Sequence, residues 1–192
     1  MKRLRRGGVS LPRRSRHAQI LISIMKEQFK PTLTPKGMLN CGVFGGSYFG
    51  VEDLQGDYDY QSIFEELLKE VTPDKYLGGK YKAKDNLFKI KSGMPYDYWK
   101  DKGWMHKDDP YGWFEWYIKY HSGRRHSDDG RQIQRWKEFC GVNGRWRNRI
   151  YRRIEETGDW KVSPRIQQSL LHWGYMVNEG DFEIYKEMNY GI

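Results

Sequence analysis

Residues 110–121 read PYGWFEWYIKYH, and within them Trp113, Trp116, Tyr117 and Tyr120 recur at three- and four-residue steps, with Phe114 adjoining. A helix of 3.6 residues per turn gathers such positions on one face, so this stretch is predicted to be a central, buried helix. The next segment, HSGRRHSDDGR, breaks it: Gly123 suits a helix end, and Ser127, Asp128 and Asp129 suit the start of the next helix. In RQIQRWKEFC, Ile133, Trp136 and Cys140 share an inward face, while Arg131 and Arg135 line the other side. Residues 145–156 repeat the scheme, with Trp146, Ile150 and Ile154 on one stripe and Arg145, Arg149 and Arg152 on another. Ile166, Leu170 and Trp173 give the apolar face of a last helix, followed by an acidic, aromatic tail.

Upstream the signals are sparser. Leu21, Ile24, Met25 and Phe29 have helical spacing, as do Ile63, Phe64, Leu67 and Leu68. The dipeptides Thr34-Pro35, Thr72-Pro73, Asp109-Pro110 and Ser163-Pro164 each pair a capping residue with a proline suited to a first helical turn, so each is predicted to open a helix. CGVFGGSYFG holds four glycines in ten residues, which predicts a tight turn or loop whose backbone approaches another segment closely. Residues 76–92 alternate Leu87, Phe88 and Ile90 with lysines, which leaves room for one short β-hairpin. The expected fold is mainly α: one compact helical domain over 18–192 with an aromatic core, preceded by a basic arm over 1–17.

GVFGGSYF, GWMHKDDPYGWFEWY and GRRHSDDGRQIQRW resemble an uncharacterised family of short proteins. Its shared pattern is G-V-F-x-G-x-Y-F, G-W-x-x-x-x-D-P-x-G-W-F-x-W-Y and G-R-R-x-x-D-D-x-R-Q-I-x-R-W. The resemblance spans roughly residues 36 to 175 and implies no activity, fold or site of its own.

The chain of 192 residues is 38% hydrophobic and 16% aromatic, enough to build a core without a metal or disulfide staple. No stretch approaches the ~18–20 apolar residues of a membrane span, and MKRLRRGG lacks the apolar core of a secretory signal, so an intracellular, non-membrane protein is expected. Cys41 and Cys140 stand far apart, as free thiols of a reducing compartment do. The histidines have no metal-ligand spacing, so neither a metal nor a cofactor is expected.

Charge is the strongest functional signal. The net +9 conceals an arm, 1–17, with seven Lys/Arg and no acid, and a segment, 119–153, with eleven Lys/Arg against Asp128, Asp129 and Glu138. Nine of those eleven are arginine, whose fork matches phosphate and stacks on bases. Arg124, Arg125, Arg131, Arg135, Arg145, Arg149 and Arg152 are therefore the expected contacts to nucleic acid, most concretely double-stranded DNA.

GVNGRWRNRI loosely resembles the hairpin of helix-hairpin-helix proteins, with one extra residue between its glycines. That points to a base-excising DNA glycosylase, which flips one base, stacks it on aromatic rings and uses a carboxylate to assist N-glycosidic cleavage. Tyr48, Phe49, Trp113 and Trp116 are the candidate stacking residues, and Asp57, Asp59, Asp129 or Asp159 the candidate carboxylate. The plainer readings are that Asp128 and Asp129 favour a helix start and that the rings form core. The alternative function is a non-catalytic structural or particle-associated nucleic-acid-binding protein.

Overall fold

The structure, a computed structural model, describes residues 29–49 and 64–191. The basic arm, the helix expected to end at Phe29 and the pair Asp57 and Asp59 lie outside the described residues, Phe29 itself excepted. The described chain is mainly α and contains eight α-helices: α1 (Pro35–Asn40), α2 (Glu65–Leu68), α3 (Tyr96–Asp101), α4 (Trp113–His121), α5 (Asp129–Cys140), α6 (Arg145–Thr157), α7 (Pro164–Leu171) and α8 (Glu179–Tyr190). None of them is long and apolar enough to cross a membrane.

Helix α4 is the centre, as its aromatic spacing predicts. Its residues from Trp113 to Ile118 are all buried, and it packs against α1 and α5. Phe29 sits among the rings of Trp113, Trp116, Tyr117, Tyr120 and Trp136, with centroids 5.1 to 6.4 Å away. Edge-to-face pairs of this kind add about 0.5–1.5 kcal/mol each beyond the area they bury. Several buried polar ends are satisfied by groups distant in sequence, which offsets the cost of removing them from water. Tyr117 donates to the Leu33 carbonyl at 2.8 Å, and Trp136 Nε1 to the Trp173 carbonyl at 2.8 Å. Helix α6 then packs against α5, α7 and α8 and completes the layer.

Two of the four proline openings start an α-helix where expected. Thr34 caps α1 by accepting from Gly37 N, and α7 begins at Pro164. Thr72-Pro73 opens only a 3-10 turn, Pro73–Lys75. At Asp109-Pro110 the helix starts three residues later, at Trp113, because the Asp109 carboxylate is taken by the Arg124 guanidinium and cannot serve as a cap.

The hairpin allowed for residues 76–92 does not form, and no strand occurs among the described residues. Instead the segment folds over the glycine-rich loop, with Gly78 N donating to Gly46 O at 2.7 Å and Lys82 N to Gly45 O at 3.0 Å. Asn86 closes it locally, its side chain bonding both Ile90 N and Ile90 O. Those backbone groups are thereby used in cross-loop and side-chain bonds, leaving no ladder to build. Beyond α7, the stretch read as a tail forms α8, capped by Asn178, whose side chain accepts from Asp181 N at 2.9 Å.

Candidate nucleic-acid interface

The junction of α5 and α6 sets the geometry. Gly144 N donates to Gly141 O at 2.7 Å, and Asn148 Nδ2 donates to the Val142 and Gly144 carbonyls at 3.0 Å each. This closes the turn tightly. A Cβ on Gly144 would lie 2.7 Å from Cys140 N, so the two helices meet where only a glycine fits.

Arg145 and Arg149 lie one turn apart on α6, exposed, and both guanidiniums flank Trp146 with their central carbon 5.5 Å from the ring centroid. Arg145 also lies 6.0 Å from Phe139, which stacks on Trp173 at 5.2 Å. Arg135 continues the series at 5.4 Å from Trp173 and 5.6 Å from Trp104. A track of alternating guanidiniums and rings results, drawn from two helices and the loops beside them. None of these three arginines has a carboxylate within ion-pair distance among the described residues. Half-buried, Arg135 is held below its ordinary pKa by desolvation and then by Arg131, and it bonds only the neutral Gln132 side chain, at 3.1 Å.

The track borders a cavity of about 280 Å³. Its wall includes Phe44, Tyr48, Trp99, Trp104, Trp113, Trp146, Trp173, Arg135, Arg145 and His172 and, among the described residues, no carboxylate. Two wall residues carry buried donors without a partner among the described residues, Trp113 Nε1 and Trp146 Nε1. His172 Nε2 lies 3.0 Å from Val43 O; a carbonyl only accepts, so Nε2 carries the proton and Nδ1 is left as an acceptor. Burial pushes the His172 pKa down to about 4, so the ring is neutral near pH 7. A wall of rings, two cations and no anion suits a flat ligand bearing negative charge.

The remaining expected contacts are arranged differently. Arg124 forms a two-pronged pair with buried Asp109 at 2.7 Å and 2.7 Å, and Arg131 one with Asp128 at 2.6 Å and 2.7 Å. Arg152 faces Glu156 at 3.9 Å. Arg125 is exposed but folded onto Tyr120, 4.0 Å over the ring and 2.9 Å from its carbonyl. Of the seven arginines, Arg135 and Arg145 line the cavity, and Arg149 lies beside it against Trp146 of its wall.

Tyr48 and Trp113 line the cavity, whereas Phe49 and Trp116 are wholly buried in the core. The Tyr48 hydroxyl donates to the Tyr111 carbonyl, and burial holds its pKa well above the ordinary value. Asp129 accepts from Trp116 Nε1 at 2.8 Å and His126 N at 2.9 Å, which fixes the start of α5. Asp159 is exposed and accepts from Lys161 N at 2.8 Å within its own turn. Neither touches the cavity.

Sequence spacing gave Trp146 and Trp173 only as parts of apolar helix faces, and it did not single out Trp104 or His172. For Trp146 a signal was present: arginines one residue before and three after it flank the ring on a helix. Compared with known proteins, the chain matches no protein-family model, no curated protein and no solved structure.

Proposed function

We propose that this protein binds nucleic acid along the Arg135–Arg145–Arg149 track and takes one unstacked nucleotide into the aromatic cavity beside it. The observation that carries the reading is the convergence of three guanidiniums, none engaged by a carboxylate among the described residues, at the edge of an aromatic pocket. Arg135 and Arg145 each lie against two rings and Arg149 against one, which holds the forks in place, so less side-chain freedom is lost when phosphate docks. A base stacked on an aromatic side chain contributes about 1–3 kcal/mol whatever its sequence. The volume of about 280 Å³ sits near the lower edge of small-ligand pockets, at roughly 300 Å³. One base fits that scale better than a longer segment.

Base excision adds the requirement of a carboxylate at the bound nucleotide. None lines the described cavity, and Asp129 and Asp159 are engaged elsewhere. The support therefore favours binding without chemistry, and excision would have to draw on Asp57 or Asp59.

The test is fluorescence anisotropy with three labelled oligonucleotides: a perfect duplex, the same duplex with one unpaired base, and the single strand. Binding that weakens steeply with salt, favours the unpaired base and drops in Arg145→Ala is the expected result. Binding that ignores salt, or that Arg145→Ala leaves unchanged, would overturn the reading. Alkali treatment of the same mixtures reports excision separately, as strand breaks at abasic sites.

A further inference from the structure

We propose that His106, Asp108 and His126 form a binding site for a divalent first-row transition ion, with zinc the ion their chemistry fits. Among the described residues they are the three metal-ligating side chains whose ligand atoms gather in one place, all within 4.8 Å of one another. They come from the two loops that flank α4, with the histidines twenty positions apart, a separation no motif encodes.

The distances suit coordination. Asp108 Oδ2 lies 2.9 Å from His126 Nε2 and 3.6 Å from His106 Nδ1. Zinc binds nitrogen and oxygen at about 2.0–2.2 Å in a tetrahedron, which sets neighbouring ligand atoms roughly 3.4 Å apart. The two observed separations bracket that edge. The imidazole rings meet edge to face with centroids 5.1 Å apart, so both can present a nitrogen to a shared point.

Both loops are fixed before any ion arrives. Asp109 on the first loop and Arg124 on the second are joined by their two-pronged pair. Asp109 N donates to His106 O at 3.0 Å, and Asp129 grips the backbone of His126 from the start of α5. The side chains of His106, Asp108 and His126 are 26%, 44% and 23% exposed, so an ion can enter and water can complete its shell. Three protein ligands with one open position is the pattern of accessible rather than closed zinc sites.

Two weak contacts oppose binding. Asp108 N donates to His106 Nδ1 and Asp128 N to His126 Nδ1, each at 3.2 Å. Coordination through His106 Nδ1 displaces the first. Coordination through His126 Nε2 moves that ring's proton to Nδ1 and displaces the second. Both are long, imperfect bonds, and three metal–ligand bonds outweigh them. The ion would tie the segment carrying Trp104 and Met105, part of the cavity wall, to the turn that starts α5.

The experiment is calorimetric titration of zinc chloride into the untagged, chelator-treated full chain, with cobalt(II) absorption as a report of geometry. One ion per chain and the visible bands of tetrahedral cobalt are expected. His106→Ala, His126→Ala and Asp108→Asn should each weaken zinc by at least about tenfold, while His121→Ala, at the end of α4, leaves it unchanged. Circular dichroism confirms that each variant is folded, and Asp108→Asn keeps the side-chain shape. Zinc should raise the melting temperature of the wild type but not of His126→Ala. The proposal is overturned if the wild type takes up no stoichiometric ion, or if affinity is the same in the three ligand variants as in the wild type. Nucleic-acid binding is not used in this experiment, so its outcome is separate from the function proposed above.

Discussion

Asp109 and Arg124 meet through two parallel hydrogen bonds of 2.7 Å, the carboxylate fully buried and the guanidinium one-quarter exposed. Lys119 approaches the same carboxylate at 3.2 Å. The carboxylate thus holds two cations that a charge count assigns to the solvent. Asp109→Ala strands Arg124, while Lys119 keeps its pair with Glu115, and unfolding in urea should show a loss of about 3–5 kcal/mol. Arg124→Ala should also destabilise, yet leave the salt dependence of nucleic-acid binding as it is. An Arg124→Ala variant of normal stability and flattened salt slope would place this arginine at the interface instead.

Arg145 and Arg149 should behave in the opposite way. Both are exposed, each contacts Trp146, and neither has an ion-pair partner among the described residues. Alanine at either position should change stability by no more than about 0.5 kcal/mol. Each substitution removes about one phosphate contact, so the slope of log K against log salt should fall by about one, and by about two in the double variant. Titrations between low and moderate salt measure this directly.

These two cases mark how far the sequence carried. Residue type and spacing placed the buried face of α4 and the arginine stripe of α6, because a 3.6-residue period is local information. They could not tell Arg124 from Arg145, since the difference lies in whether a distant carboxylate folds beneath the guanidinium. Asp109 is fifteen residues from Arg124 and looked like a helix cap. The cavity was illegible for the same reason: Phe44, Trp104, Trp146 and His172 meet only after the four segments that carry them have packed. Helix α8 was legible in retrospect, through Asn178 three residues before Asp181, but its acidic surface read as a tail.

The glycine-rich loop offers a test of close approach. Gly42 has φ of 63°, and a Cβ there would stand 2.0 Å from the Asp85 carbonyl oxygen. Both the left-handed backbone and the backbone contact exclude a side chain. Gly42→Ala should cost more than about 3 kcal/mol or prevent folding. Gly79→Ala, with no atom within 4 Å of its Cβ and no positive φ, should stay within about 0.5 kcal/mol of the wild type. Comparable melting temperatures for the two variants would show that loop 41–49 is free to move off residues 74–86.

His172 gives a pH test whose sign is fixed by its surroundings. Burial lowers its pKa to about 4, against an ordinary value of 6.5, while the Val43 carbonyl opposes that shift. Between these values the unfolded chain binds a proton that the folded chain refuses, so stability falls as pH drops from 6.5 toward 4 and is fully present above 6.5. The contribution is no more than about 3 kcal/mol, since one pKa unit corresponds to about 1.4 kcal/mol and the ring is partly open to the cavity. Urea unfolding at several pH values should show this loss in the wild type and a smaller one in His172→Gln, which keeps a donor for Val43 without a titrating ring. An anionic nucleotide in the cavity favours the charged imidazole, so a bound oligonucleotide should move the titration toward higher pH. Equal pH slopes in the wild type and His172→Gln would assign the acid sensitivity to another group. A slope that responds to the oligonucleotide in the wild type but not in the variant would place phosphate within reach of this ring.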